Sequence, residues 1–191
     1  YFVINIDKLT YSANPHSLKN LANSRNYRFY KQDINNKKQI HAILNRHKPD
    51  GIFNLAAETH VDRSIDDPKD FINSNILGVY NLLEVLKKYS RKNKKKIKFI
   101  HISTDEVYGD IPLGKRSDEK SSYNPSSPYS ASKASADHLV KSFVRTYKLP
   151  IVISNWQLYP ETAIRKRVQL QSGVSYMQGE SISQNQCWTM L

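Results

Sequence analysis

Cysteine is nearly absent: Cys187 stands alone in 191 residues. That excludes an internal disulfide framework and fits a reducing, cytoplasmic setting. Long apolar runs are missing too. None approaches the roughly 20 residues that a membrane-spanning helix needs, and the apolar residues 1–6 stop at Asp7. No basic stretch precedes them, so no signal peptide is expected. Acidic residues are in the minority, 17 against 29 Lys and Arg, for a formal charge of +12. A surplus of this sign raises nucleic acid or polyphosphate as a partner. It is concentrated in residues 87–98, which hold eight of the 29 basic side chains with Tyr89 as their one aromatic. Lysines gathered where a helix runs out are favoured by its dipole. The run therefore reads as a solvated helix end and turn, and no nucleic-acid partner is expected. The hydrophobic fraction of 39% is low, but enough for a core and too high for a disordered chain. The length suits one domain, or one domain with an appendage.

Strands and helices alternate along the first four fifths of the chain. Residues 1–6 read as a buried strand closed by Asp7. A loop and a short helical stretch near 17–22 follow, then a second strand over 27–30 that ends near Asp33. Residues 35–47 have helical spacing, with Ile40, Ile43 and Leu44 on one face and Pro49 as the stop. Residues 52–57 read as a third strand. Pro68 suits the first position of a long helix. In it Ile72, Ile76, Val79, Leu83 and Leu86 form one apolar stripe. Residues 96–103 read as a fourth strand, 127–147 as a long helix with Ala136, Val140, Phe143 and Tyr147 on its stripe, and 150–154 as a fifth strand. Crossovers of this length predict a doubly wound α/β fold with a parallel sheet covered on both faces and ligands at the carboxyl ends of its strands. Asp7, Asp33, Ala57 and Thr104 fall at such ends. No clear strand or helix period is read after Asn155.

The strongest chemical signal is Tyr129-Ser-Ala-Ser-Lys133 near the start of a predicted helix. Residues four apart share a helix face. A tyrosine is a poor base at neutral pH, and a lysine ammonium beside it favours the phenolate. The pair is then suited to take a proton from a substrate hydroxyl while hydride leaves the same carbon. Such a pair alone is ordinary helix surface, so its context decides. Upstream, His101-Ile-Ser-Thr-Asp-Glu-Val-Tyr-Gly-Asp110 leaves the fourth strand. Adjacent carboxylates at a strand's catalytic end can divide acid and base work when their environments separate their pKa values.

These strings make the resemblance specific. Ser103-Thr-Asp-Glu-Val-Tyr-Gly109, with Ser126-Ser-Pro-Tyr-Ser-Ala-Ser-Lys133, resembles the extended short-chain dehydrogenase/reductases, and within them the dTDP-glucose 4,6-dehydratases. Asp7-Lys-Leu-Thr-Tyr11, Leu55-Ala-Ala-Glu-Thr-His-Val-Asp-Arg-Ser64 and Ala134-Ser-Ala-Asp-His138 agree, and the match runs over residues 3–155. The resemblance implies a Rossmann-like NAD-binding domain and an NAD-dependent hydro-lyase. Asp7 would hold the adenosine ribose, with Lys8, Leu9 and Thr10 lining that end. A carboxylate there favours NAD over NADP. Asp33 and Ile34 would flank the adenine. Leu55, Ala56, Ala57 and Glu58 would run along the cofactor, Thr59 would touch cofactor or sugar, and Ser74 would stand near the cofactor where the family usually has threonine. Thr104 would bind the hydroxyl being oxidised, Tyr129 with Lys133 would abstract its proton beside the cofactor, Glu106 would remove a carbon-bound proton, and Asp105 would protonate the leaving hydroxyl. Asn75 and His60 read as structural hydrogen-bonders. No metal is implied. The implied partners are dTDP-glucose and, in a complete enzyme, a second copy paired through the two long helices.

The chain also departs from that family. No Gly-x-x-Gly-x-x-Gly turn is present to hold pyrophosphate on a helix N-terminus. After Asn155, Trp156-Gln-Leu-Tyr-Pro160 replaces a Cys-Ser-Asn-Asn-Tyr-Gly-Pro-like stretch. The expectation is a partial Rossmann domain over residues 1–155 that lacks the first strand–turn–helix and the substrate domain, and a divergent tail over 156–191. The sheet position beside the first predicted strand should then be empty and its edge exposed, and the chain by itself should be inactive. A nucleotide-sugar 4-epimerase and a non-catalytic remnant of the fold are the alternatives. An epimerase has no need of the Asp105–Glu106 pair, and cofactor titration separates the remnant.

Overall fold

The computed structural model describes residues 1–110, 117–156, 169–170 and 187–190. Strands β1 (Phe2–Asp7), β2 (Tyr27–Lys31), β3 (Gly51–Asn54), β4 (Lys98–Thr104), β5 (Ile151–Trp156), β6 (Gln169–Leu170) and β7 (Cys187–Met190) form one sheet. Its order is β2-β1-β7-β3-β4-β5-β6. Every described pairing is parallel except β5 with the short edge strand β6. The helices are α1 (Lys37–His47), α2 (Val61–Asp66), α3 (Lys69–Phe71), α4 (Val79–Asn93) and α5 (Pro128–Tyr147). α4 packs between α1 and α5, and α5 lies against β4 and β5. This is the expected doubly wound α/β architecture.

The core follows from the two periodicities. Ile4 and Ile6 point inward from β1, as do Phe99 and His101 from β4. Helix α1 supplies Ile40, Ile43 and Leu44, and α4 supplies Val79, Leu82, Leu83, Val85, Leu86 and Tyr89. Burying one such aliphatic side chain stabilises a fold by about 1.5–3 kcal/mol. Caps set the ends. Asn36 accepts from the Gln39 amide at 3.2 Å at the start of α1. Ser127 and Ser130 form a reciprocal capping box ahead of Pro128 at the start of α5.

Four expectations change. Strand β3 stops at Asn54, so Leu55, Ala56 and Ala57 lie in the segment beyond it. Helix α2 was not foreseen, because its six residues are too few to show a period. The long helix begins after Pro68 but passes through a π-helical stretch, Ile72–Gly78. Wider i→i+5 turns slip the 3.6-residue phase. The predicted stripe therefore fails at its start: Ile72 is 47% exposed, while Ser74, Asn75 and Gly78 are buried. At Gly78 the Ile34 side chain packs close to the helix: a Cβ would stand 2.5 Å from the Ile34 Cδ1, so a larger residue would make that side chain shift.

The fourth change concerns the sheet centre. The position beside β1 is filled: β7 lies parallel to both β1 and β3, with Phe2 opposite Cys187 and Gly51 opposite Trp188. Facing edges of β1 and β3 present backbone groups that need partners, and an extended segment supplies them. Of the tail expected over residues 156–191, Trp156 closes β5 and 169–170 and 187–190 are strands. The remainder lies outside the described residues.

Candidate active site at the carboxyl end of the sheet

Parallel strands bring their carboxyl ends to one side, and most of the predicted site residues gather there. At the end of β1, the Asp7 carboxylate accepts from the Leu9 amide at 2.6 Å and stays exposed. Leu9 takes a left-handed conformation, φ 58°, and Thr10 shares a hydrogen bond with Ser12 at 3.2 Å. Beyond β2, Asp33 accepts from the Asn35 amide at 2.7 Å, and Ile34 is buried under the π-helical stretch. Beyond β3, Leu55 is exposed, Ala56 and Ala57 are half-buried, Glu58 is buried and Thr59 is exposed. Lys8 ties three of these regions together. Its ammonium donates to the Ser74 hydroxyl at 2.9 Å and lies 3.7 Å from the Glu58 carboxylate. The slipped helical phase is what turns Ser74 toward this position.

Asn75 behaves as a structural clamp. It accepts from the Glu58 amide at 2.9 Å, donates to the Glu58 carbonyl at 2.9 Å, and donates to the Ser132 hydroxyl at 2.8 Å. This fastens the segment after β3 to α5. His60 does not match its expectation. It is exposed at the start of α2 and makes no side-chain cap bond.

The chemical groups meet where β4 ends. Asp105 and Glu106 lie in a single 3-10 turn, Asp105–Tyr108, capped by Thr104, whose hydroxyl accepts from the Glu106 amide at 3.3 Å. Partial burial raises the Asp105 carboxyl above its ordinary value, against the pull of hydrogen bonds from the backbone and Thr104. Partial burial also raises Glu106, and the neighbouring Asp105 adds to the rise. Tyr129 reaches the same place from the first turn of α5, with its amide donating to the Ser64 hydroxyl at 3.1 Å and its ring edge-on to Phe71. The Thr104 hydroxyl acts on its phenol in the direction that favours ionisation. The structure thus brings Thr104, Asp105, Glu106 and Tyr129 together.

Lys133 requires a correction. Burial first, and then Glu106, raise the Tyr129 phenol above its ordinary value, and Lys133 is not among the groups acting on it. The Lys133 ammonium instead donates to the Ile102 carbonyl at 2.6 Å. Four-residue spacing puts two side chains on one face, but a partner behind the helix can draw one of them inward. Burial lowers the lysine to about 8, with Asp137 acting in the opposite direction.

Sequence reasoning missed the groups behind Lys133. Asp137 is fully buried and accepts from the Ser103 hydroxyl at 2.8 Å and the Tyr123 phenol at 3.0 Å. His101 Nε2 lies 3.5 Å from its other oxygen, and Asn54 Nδ2 lies 3.1 Å from His101 Nδ1. The signals were present. His101 and Ser103 alternate with Phe99 on one face of β4, and Asp137 follows Lys133 by one helical turn.

Residues 1–169 match the family model described as GDP-mannose 4,6 dehydratase. The dTDP-glucose 4,6-dehydratase of Haemophilus influenzae is 51% identical over 159 residues, which are 81% of this chain and 47% of that protein. Among solved structures, a dTDP-glucose 4,6-dehydratase from Bacillus anthracis in complex with NAD is similar with a TM-score of 0.70 and 36% identity, over 80% of this chain and 44% of that one. A UDP-glucose 4-epimerase from Thermotoga maritima, solved with UDP-glucose, has a TM-score of 0.70 and 31% identity over 81% and 47%. The chain spans about half the length of the curated relatives it matches.

Proposed function

This chain belongs to the family that the GDP-mannose 4,6 dehydratase model describes, and from that premise we propose that its residues serve a dTDP-glucose 4,6-dehydratase that uses bound NAD. The observation that carries the proposal is the pair Asp105–Glu106, two raised carboxyls in one turn beside the Tyr129 phenol. An epimerase moves a hydride at one carbon and has no water to eliminate, so the fold likeness to epimerases leaves the pair unexplained. A remnant without chemistry leaves it unexplained as well.

The residues fit NAD at two places. Asp7, exposed at a strand end, suits a ribose diol. Tyr129, Thr104 and Lys133 suit the reactive end. The sequence offers no glycine-rich phosphate turn, so no residue here is assigned to the pyrophosphate. Bound NAD supplies a reversible hydride acceptor and, when oxidised, a positive charge that favours the Tyr129 phenolate. Tyr129 then takes the proton of the hydroxyl at sugar carbon 4, and Thr104 positions that hydroxyl. The ketone formed acidifies the proton on carbon 5, which Glu106 removes. Asp105, whose raised pKa favours its protonated form, gives its proton to the departing hydroxyl of carbon 6.

The complete enzyme is proposed to be a cytoplasmic homodimer. The support is the single cysteine and the exposed apolar residues Ile72, Leu77, Tyr80 and Tyr147 along the π-helical stretch, α4 and α5. Among the described residues, no helix is long and apolar enough to cross a membrane.

The test is a full-length chimera in which residues 1–155 replace the matching segment of the H. influenzae relative. Glu106→Gln should allow oxidation at carbon 4 and slow elimination by roughly 10²–10⁴-fold, so stopped-flow absorbance should show reduced nicotinamide building up. A large loss of rate with no such build-up would sink the assignment of Glu106.

A further inference from the structure

We infer that Glu58, with Ser74, is a specificity-determining residue for the cofactor: the two keep the Lys8 ammonium engaged, and so unavailable to the 2′-phosphate that distinguishes NADP from NAD. The inference rests on the NAD reading above.

Two neighbours at the end of β1 favour opposite cofactors. The exposed Asp7 carboxylate suits the ribose diol of NAD and repels a 2′-phosphate. Lys8 is a cation one residue on, and a basic side chain near this position is what a 2′-phosphate uses. How strict the choice is therefore depends on where the lysine is engaged. Its ammonium donates to the Ser74 hydroxyl at 2.9 Å and lies 3.7 Å from Glu58 Oε1. In the same turn Asp7 Oδ1 accepts from the Leu9 amide at 2.6 Å. The two charged side chains are thus held by different groups.

The partners are fixed, and the lysine is the member that can move. Ser74 is buried within the π-helical stretch. Glu58 is buried too, and Asn75 holds its backbone at both the amide and the carbonyl, each at 2.9 Å. The Lys8 side chain keeps 37% of its surface exposed, while that of Glu58 keeps 10%. If the ammonium left, the Glu58 carboxylate would lose its counter-charge. A carboxylate left buried and unpaired is strongly disfavoured. A 2′-phosphate would therefore have to compete with Glu58 for the lysine and face Asp7 as well. Lys31 stands opposite Asp7 in the β1–β2 register. It is the same in every variant below, so it does not enter the comparison.

The experiment is calorimetric titration of the full-length chimera with NAD and with NADP, read as the ratio of the two dissociation constants. Asp7→Ser is present throughout. It removes the repulsion, keeps an acceptor for the Leu9 amide and leaves the contribution of Lys8 visible. Adding Lys8→Met should leave the ratio where it was, because a held lysine gives nothing to the phosphate. Adding Glu58→Gln instead should shift the ratio toward NADP by roughly tenfold, the scale of one new hydrogen bond to a charged group. Adding both should cancel that shift. A ratio that moves away from NADP on Lys8→Met alone would overturn the inference, since the lysine would already be reaching the phosphate. So would a Glu58→Gln shift that survives Lys8→Met, or no shift at all. If Glu58→Gln does not fold, Ser74→Ala takes its place: a smaller shift toward NADP is expected, and none would count against the inference. A parent chimera that binds no NAD would sink the NAD reading and the inference with it. One that binds NAD but fails these comparisons loses the inference alone.

Discussion

Helix α5 buries two different kinds of surface. Over its first half Tyr129, Ser130, Ser132, Lys133 and Asp137 are all buried, and each needs a partner: Ser64, Ser127, the Tyr129 carbonyl, the Ile102 carbonyl, Ser103. Over its second half Val140 and Phe143 are buried against α4 and neighbouring rings. Polar burial costs about as much as its hydrogen bonds return, whereas apolar burial is a net gain. The first half is thus a place where free energy is spent on holding groups ready, and the second half holds the helix in place. Substitutions in the two halves should separate rate from stability.

The largest effect is expected in the first half. In the full-length chimera, Tyr129→Phe should lower turnover by roughly 10²–10⁴-fold, the range for losing a positioned acid–base group. The midpoint of urea unfolding should move little, because the phenyl ring keeps its edge-on contact with Phe71. Turnover within a few-fold of the parent would remove Tyr129 from the mechanism. The reverse pattern is expected in the second half. Phe143 meets Tyr80 and Tyr147 edge-on, and the Lys87 ammonium sits 5.6 Å above its ring. Phe143→Ala should cost about 3–5 kcal/mol of stability. The activity of the protein that remains folded should be near that of the parent. A loss of specific activity without a shift in unfolding midpoint would show that the two halves are coupled.

The same contrast explains what was legible in the sequence. Strand and helix order, the core face of α1, the buried Ala136, Val140 and Phe143 of α5, and the cluster Thr104, Asp105, Glu106 and Tyr129 follow from periodicity and motif, which are local signals; Tyr147, read onto the same α5 stripe, is 37% exposed. Three things were not local. The π-helical stretch broke the 3.6-residue phase, hid the burial of Ser74 and Asn75 and exposed Ile72. The partner of Lys133 was set by packing between α5 and β4, so spacing alone assigned it to Tyr129. The strand at 187–190 fills the sheet centre because of what stands on either side of it, and nothing periodic in the tail announced it.

The smallest effect tests whether the carboxyls at the end of β4 are held at a cost. Burial raises the Asp105 pKa. A carboxyl raised in the folded state binds its proton more tightly there than in the unfolded chain. Stability is then greatest below the unfolded value, near pH 4, and falls as pH rises through the window between the unfolded and folded values. Asn at this position has no proton to lose, so the fall should disappear. Asp105→Asn should therefore be more stable than the parent at neutral pH, by on the order of 0.5–1 kcal/mol, and the gain should shrink to nothing as pH falls below about 4. Turnover should drop, since the proton for the departing hydroxyl is gone. Thermal melts at several pH values measure this directly. A stability difference that does not vary with pH would mean that the substitution acts through the Thr104 contact at 3.4 Å and not through the charge. Equal stability at every pH would mean that the carboxyl is accommodated without strain and that, at Asp105, the first region is no less settled than the second.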